Sequence, residues 1–465
     1  MDNNQMKKRY GLFTAICMVV GIVIGSGVFF KAQDILNYTG GNMLIGILAW
    51  VIGGIIMIIC AFNFANFGTK YSRVNGVVDY AESIVGTRYA YMIGWFLTTI
   101  YYPAMTGVLA WVSARYTLVL FGSSDITGGL CMALGGFYLC LAYTVNVLSP
   151  KIAGKFQISA TVVKLIPLGI IVIVGTIAGL INGNTIDAFK GAEGALGGAG
   201  FDSVFAGIGA AAFAYEGWII ATSINSELKE PKKNLPRALV IGTAIIMVIY
   251  ITYFIGLSGG APIEELMKNG ATVAFKNLFG NVGGVILNAF IVVSCLGTLN
   301  GLMLANTRSL YSLSVRGNGP KPQTFAQIDP QTNMPANSGA LTLLFAGAWF
   351  FYFYGANLTN PIFGIFSFDS SELPIITIYA LYIPIFIMFI VKEGKKNVLK
   401  NIVMPILAII ASLFMVFVAV YAHGITKYQE AQALGKFSFP VLFYLIVFAV
   451  IMIIGALLYK RKDGK

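Results

Sequence analysis

The chain has 465 residues, of which 57% are hydrophobic and 11% charged, where ordinary globular proteins have about 25% charged. It carries one histidine and a formal net charge of +12. These figures exclude a soluble multidomain enzyme and a disordered chain, and leave an integral membrane protein with little mass outside the bilayer.

A bilayer crossing takes about 20 apolar residues. Twelve runs meet that length, at 12–38, 43–68, 89–121, 127–148, 157–181, 201–226, 237–257, 282–314, 336–354, 360–391, 402–423 and 439–459. The expected fold is an all-α integral membrane protein with twelve transmembrane helices, forming one transmembrane domain over 1–465. With the N-terminus inside, the clusters Lys7-Lys8-Arg9, Lys232-Lys233, Lys395-Lys396 and Lys460-Arg461-Lys462 all fall on the cytoplasmic side. That is the positive-inside pattern with both termini cytoplasmic. The net charge is then a matter of topology, the partner is the lipid bilayer, and no nucleic acid is required. The first run is too long and too rich in glycine for a cleavable signal, so it reads as span 1. The five cysteines lack CxxC spacing and read as small buried apolar residues.

Span 1 carries Gly21-Ile22-Val23-Ile24-Gly25-Ser26-Gly27 near its middle. Glycine inside a helix costs about 1 kcal/mol relative to alanine, and a Gly-Ser-Gly triplet compounds it. A break is expected there. The N–H groups that open the second half-helix make an anion site of carboxylate size, and the carbonyls that close the first half suit an ammonium. Ser26 adds a hydroxyl donor. In span 3, Arg115 lies near the outer end and reads as interfacial. Span 5 places Lys164 near its middle, where an unpaired lysine costs at least about 2.5 kcal/mol. A cation held there either takes the place of a bound Na+ or loads and releases a proton.

Span 6 carries Gly207-Ile208-Gly209 and then Ala214-Tyr215-Glu216-Gly217. Spans 1 and 6 each open a set of five, 11–181 and 201–391, and breaks at corresponding positions of two halves point to a transporter site. Two breaks side by side suit a zwitterion. Phe213 abuts the second break and covers a bound ligand. Glu216 is either protonated, or a partner for a substrate ammonium, or a partner for Lys164, and the residues leave the three open. In span 8, Asn300 hydrogen-bonds another helix. Asp369 and Glu372 are membrane-embedded if span 10 begins near 360, and outer-loop residues if it begins near 373. His423 closes span 11 as an interfacial residue with no role. Helices 11 and 12, at 402–459, carry no chemistry. No nucleophile–base set and no metal-ligand spacing are present, so an enzyme, a cofactor and a metal are not expected.

These segments carry a resemblance. Val20-Gly21-Ile22-Val23-Ile24-Gly25-Ser26-Gly27-Val28-Phe29 resembles the helix 1 signature of the amino acid–polyamine–organocation superfamily, and Phe213-Ala214-Tyr215-Glu216-Gly217-Trp218 its helix 6 signature. The loop Glu230-Pro231-Lys232-Lys233-Asn234-Leu235-Pro236-Arg237-Ala238 and the segment Gly297-Thr298-Leu299-Asn300-Gly301 with Arg308 are similar to that superfamily too. The nearest branch is bacterial permeases related to the L-amino acid transporters. The resemblance implies a five-plus-five inverted repeat of LeuT type, with helices 1 and 6 discontinuous and alternating access. It implies that the backbone at Gly25, Ser26 and Gly27 binds a substrate carboxylate, and that carbonyls at Val23, Phe213 and Glu216 receive the amine. Ile24, Ala214, Tyr215 and Gly217 complete the expected binding segments. It further implies that Phe213 is the outer gate and that Lys164 stands in a sodium site.

Two departures stand out. Many relatives carry Tyr-Ala-Glu-Leu-Gly on helix 2, where this chain reads Phe64-Ala65-Asn66-Phe67-Gly68. The loop 122–129 lacks the cysteine through which animal relatives link to a heavy subunit, so no covalent heavy subunit is expected and a prokaryotic plasma membrane is. The function so implied is a Na+-independent amino acid transporter favouring neutral L-amino acids, working as an exchanger or with protons. The alternatives are a polyamine or cationic amino acid transporter, in which Glu216, Asp369 and Glu372 hold extra ammonium groups, and a sensor that binds without transport.

Overall fold

Apolar runs in lipid meet their backbone hydrogen bonds internally, and the helix is how a single segment does so. The structure, a computed structural model, describes residues 11–25, 27–71, 76–193, 201–220, 222, 228–358 and 360–460, with the side chains of 191–193 and 201–202 left aside. It is all-helical over these residues, with no strand.

The first elements are α1 (Leu12–Val23), α2 (Gly27–Tyr38), α3 (Met43–Lys70), α4 (Val77–Ile84), α5 (Thr87–Phe96) and α6 (Tyr102–Leu120). Next come α7 (Gly129–Leu148), α8 (Pro150–Ile170), α9 (Thr176–Asn182), α10 (Asn184–Glu193), α11 (Phe201–Tyr215) and α12 (Pro231–Gly260). The remainder are α13 (Ile263–Asn269), α14 (Ala271–Ser314), α15 (Pro322–Phe325), α16 (Ala336–Ala356), α17 (Leu373–Glu393), α18 (Met404–Ala419), α19 (Lys427–Ala433) and α20 (Pro440–Leu458). Among the described residues, ten helices are long and apolar enough to cross a membrane, or eleven if α1 and α2, whose axes differ by 46°, form one span.

The expected span 89–121 is the one outside that count. It is nonetheless helical from Thr87 to Leu120, through a π-helical turn at Leu97–Tyr101. Its polar residues lower its hydropathy but are met locally. Thr98, Thr106, Ser113 and Thr117 each donate a hydroxyl to the carbonyl four residues back. Pro103 has no N–H to offer the carbonyl of Thr99, and the indole of Trp349 donates to that carbonyl instead, at 2.8 Å.

Other boundaries differ from the sequence expectation. The segment read as a loop at 230–238 is helical from Pro231, because proline at the first helical position costs nothing there. The helix of span 10 begins at Leu373, so residues 360–372 precede it. The long α14 turns at Gly280, whose φ of +74° glycine tolerates. None of the five cysteines is in a disulfide; Cys60, Cys131 and Cys295 are buried as expected, whereas Cys140 is exposed on α7.

The centre of the bundle is built by α1 packing on α8, α12 and α14, and by α11 packing on α2 and α3. Close approach depends on small residues: a Cβ on Gly259 would lie 1.9 Å from the carbonyl oxygen of Gly175, so α12 and the turn before α9 meet backbone to backbone. The outer faces are apolar, as on α20, where Ile453 and Leu457 are exposed. That surface suits lipid.

Candidate functional site

The last bond of α1 runs from the N–H of Ile24 to the carbonyl of Val20, at 2.9 Å. Ile24 then leaves the helical region with ψ +92°, and α2 resumes at Gly27. Across from this, α11 ends at Tyr215. Gly217, with φ +107°, turns the chain into a single 3-10 turn at 218–220. The two chain turns face one another. A Cβ on Gly27 would lie 2.9 Å from the Cα of Ala214, and one on Gly217 would lie 3.1 Å from the Ile22 side chain.

Between them is a narrow cavity bordered by both chain turns. Ile22, Val23, Gly25 and Gly27 line one side, and Phe213, Ala214, Glu216, Gly217 and Ile220 the other. Tyr101, Met105 and Leu109 close it from the π-turn and α6, and Thr298 and Leu302 from α14. The lining is mainly apolar. Its polar atoms are therefore conspicuous. The hydroxyl of Tyr101 donates to one carboxylate oxygen of Glu216. The other, Oε2, is buried without a partner, as is the Oγ1 of Thr298. Unmet buried polar groups are costly, which makes these two atoms natural points of contact for a ligand.

Of the residues named from sequence, Val23, Gly25, Gly27, Phe213, Ala214, Glu216 and Gly217 line this cavity. Ile24 is buried beside it. Ser26 lies outside the described residues. Tyr215 turns away, its hydroxyl donating to the carbonyl of Trp50 at 3.0 Å. Lys164 is fully buried one layer behind, its ammonium on the carbonyl of Gly21. Glu216 and Lys164 are thus engaged by different partners.

The secondary candidates lie elsewhere. Asn300 ties α14 to α7 and α8 through Asn146 at 2.9 Å, Gln157 at 3.1 Å and the carbonyl of Ala153 at 3.2 Å. Asp369 accepts from the backbone N–H groups of Ser371 and Glu372, in the turn that precedes α17. Glu372 is buried and holds Lys31 and His423. Its position fits neither sequence alternative, since the residue precedes the helix yet is enclosed. Asn66, where many relatives have a glutamate, donates its amide to the side chain of Asn401 at 3.2 Å. Arg115 is exposed and sits over the ring of its neighbour Trp111.

Sequence reasoning passes over Tyr101, Thr298 and Tyr250. The hydroxyl of Tyr250, on α12, lies 3.2 Å from the carbonyl of Val23 and 3.0 Å from that of Ala214, bridging the two chain turns. The available signal is weak: a hydroxyl in the middle of an apolar helix.

Comparison with known proteins accords with this arrangement. The amino acid permease family matches residues 10–452. A serine/threonine exchanger of Bacillus subtilis is 29% identical over 430 residues, covering 89% of this chain and 91% of its own. The mouse b(0,+)-type amino acid transporter 1 is 25% identical over 438 residues, covering 92% of this chain and 86% of its own. The human cystine/glutamate transporter is 26% identical over 341 residues, covering 71% and 66% respectively. The chain belongs to the amino acid permease family.

Proposed function

We propose that this amino acid transporter carries neutral L-amino acids across a prokaryotic plasma membrane by alternating access, independently of Na+, as an exchanger or with protons. Exchange is the favoured mode, in keeping with the serine/threonine exchanger among its relatives. The observation that carries the reading is the cavity between the two chain turns, where backbone and a few polar atoms face an otherwise apolar space.

In this reading the fold is the twelve-span, five-plus-five inverted repeat, with spans 1 and 6 discontinuous and repeats at 11–181 and 201–391. The substrate carboxylate lies on the N–H groups that begin α2, at Gly25, Ser26 and Gly27. Its ammonium faces the carbonyls at the end of α1 and at Phe213 and Glu216. Phe213 closes the outer side. Lys164 places a permanent ligand on the Gly21 carbonyl, where a Na+ ion would otherwise have to bring charge. Both termini are cytoplasmic. No covalent heavy subunit is attached, since the cysteine nearest the loop 122–129, Cys131, is buried.

The cationic alternative has less support. It needs carboxylates free to hold ammonium groups, but Glu372 is taken by Lys31 and His423, and Asp369 by backbone N–H groups. Glu216 alone offers an oxygen to the cavity, which suits one hydroxyl or ammonium donor. Competition tests this. Unlabelled serine, threonine, alanine and leucine should displace a labelled neutral substrate. Displacement by putrescine or lysine and by none of the four would overturn it. Glu216→Gln should weaken serine and threonine relative to alanine.

A further inference from the structure

Outside the cavity, the structure gathers a second set of charged groups from three distant stretches of chain. Lys31 is on α2, one turn beyond Gly27, and is buried. Its ammonium lies 2.6 Å from Oε1 of Glu372 and 3.4 Å from Asp34. It also sits over the rings of Phe30, at 5.4 Å, and of Phe213, at 5.2 Å. The other oxygen of Glu372 lies 2.9 Å from Nε2 of His423. His423 belongs to a π-helical turn, Val420–Thr426, that continues α18. One carboxylate therefore ties α2, the start of α17 and the end of span 11 together, and the ammonium it holds sits over the aromatic ring that borders the cavity.

We propose that Lys31, Glu372 and His423 form a proton-binding latch that holds the outer side of the transporter shut, with His423 as the group that takes the proton. The inference rests on the proposed orientation, in which α2 leads away from the cavity toward the outside. For a substrate to enter from that side, Phe213 and α2 must part from α17. That movement separates Lys31 from Glu372 and from the Phe213 ring.

The sign follows from the charges around the cluster. Facing His423 are Glu372 and Asp369 ahead of α17 and the cation Lys31 on α2; the anion Asp34 and the phenol Tyr38, also on α2, adjoin Glu372 and Lys31 behind them. Three carboxylates thus surround one ammonium. The described residues of α11 and α18 bring no charge to the turn, α20 brings none, and Glu430 of α19 is held by Lys427 at 2.7 Å. A proton on His423 offsets part of the negative surplus and strengthens its bond to Glu372. Imidazole is the side chain whose ordinary titration falls near neutral pH. External acid tightens the latch, and external alkali loosens it.

The test is access to the cavity from outside. A cysteine placed at Met105→Cys is labelled by a membrane-impermeant methanethiosulfonate added to right-side-out membrane vesicles at external pH 5.5, 7 and 8. The same cysteine is labelled in the His423→Gln and Glu372→Gln backgrounds, and each rate is divided by that of the His423→Gln background at the same pH, which removes the reagent's own pH dependence. The latch predicts a ratio for the unmodified cluster that falls several-fold from pH 8 to 5.5, and faster labelling with Glu372→Gln at every pH. A ratio that stays flat with pH overturns the role of His423. Equal rates with Glu372→Gln overturn the latch itself. Should Glu372→Gln fail to fold, the His423→Gln comparison decides alone. Labelling needs no transport, so the expected ratios in vesicles that move no amino acid would leave the latch standing and sink the proposed function instead.

Discussion

The ammonium of Lys164 donates to the carbonyl of Gly21, the first carbonyl that α1 leaves unmet when it ends. In a continuing helix that oxygen would bond the N–H of Gly25. The break and the buried lysine thus answer one another: each removes a cost the other would carry alone. Gly21 must be small for α8 to come this close, since a Cβ there would fall 2.4 Å from the hydroxyl of Thr161.

Lys164→Ala should therefore reduce transport at least tenfold, because an unmet buried carbonyl costs about 1–3 kcal/mol and the break loses its support. Lys164→Arg should not restore it, as a planar guanidinium does not fit a site built for a compact ammonium. Initial rates in proteoliposomes check both, and a wild-type rate in Lys164→Ala would refute the role.

Tyr250→Phe should raise the KM for substrate about tenfold, the effect of losing a hydrogen bond worth roughly 1.4 kcal/mol. Its hydroxyl holds Val23 and Ala214 in register. The melting temperature should change little, since the ring stays packed on Trp50 at 5.3 Å. A large loss of stability with an unchanged KM would assign the tyrosine to packing alone.

Gly27→Ala should be worse tolerated than Gly25→Ala. At Gly27 the added carbon meets the Cα of Ala214 at 2.9 Å, and backbone cannot step aside. At Gly25 it meets the hydroxyl of Thr298 at 2.9 Å, a side chain that another residue can replace. Thr298→Ala should then restore part of the transport lost in Gly25→Ala and none of that lost in Gly27→Ala. A double-mutant cycle on uptake rates measures the difference.

Asn300→Ala should lower stability by about 1–3 kcal/mol, since it abandons partners on two neighbouring helices. It should leave the KM unchanged, because Asn300 does not line the cavity. Thermal unfolding and uptake kinetics on the same preparation separate the two effects. A raised KM with normal stability would return Asn300 to the site.

How much of this is legible in the sequence depends on how local the physics is. The interruptions at Gly25 and Gly217 are legible because glycine's conformational cost is set by the residue itself. Lys164 is legible because a charge inside an apolar run demands a partner, although the run does not say that the partner is Gly21. Tyr250 and Tyr101 are hidden because helices that are apolar all round have no period to show which face looks inward. Lys31 draws no notice in the sequence, and His423 reads as an idle interfacial residue, because what encloses them is far away in the chain. Lys31 and Glu372 are 341 positions apart. The contact of His423 with Glu372, which the proposed latch uses, is equally silent in the sequence of span 11.

The most direct test of the central claim is uptake of radiolabelled L-serine into proteoliposomes that hold either unlabelled L-serine or no amino acid, with and without Na+. The account predicts uptake into the loaded vesicles at the same rate in Na+ and in its absence. Uptake that requires an inward Na+ gradient, or L-serine that binds the protein but never crosses, would contradict it.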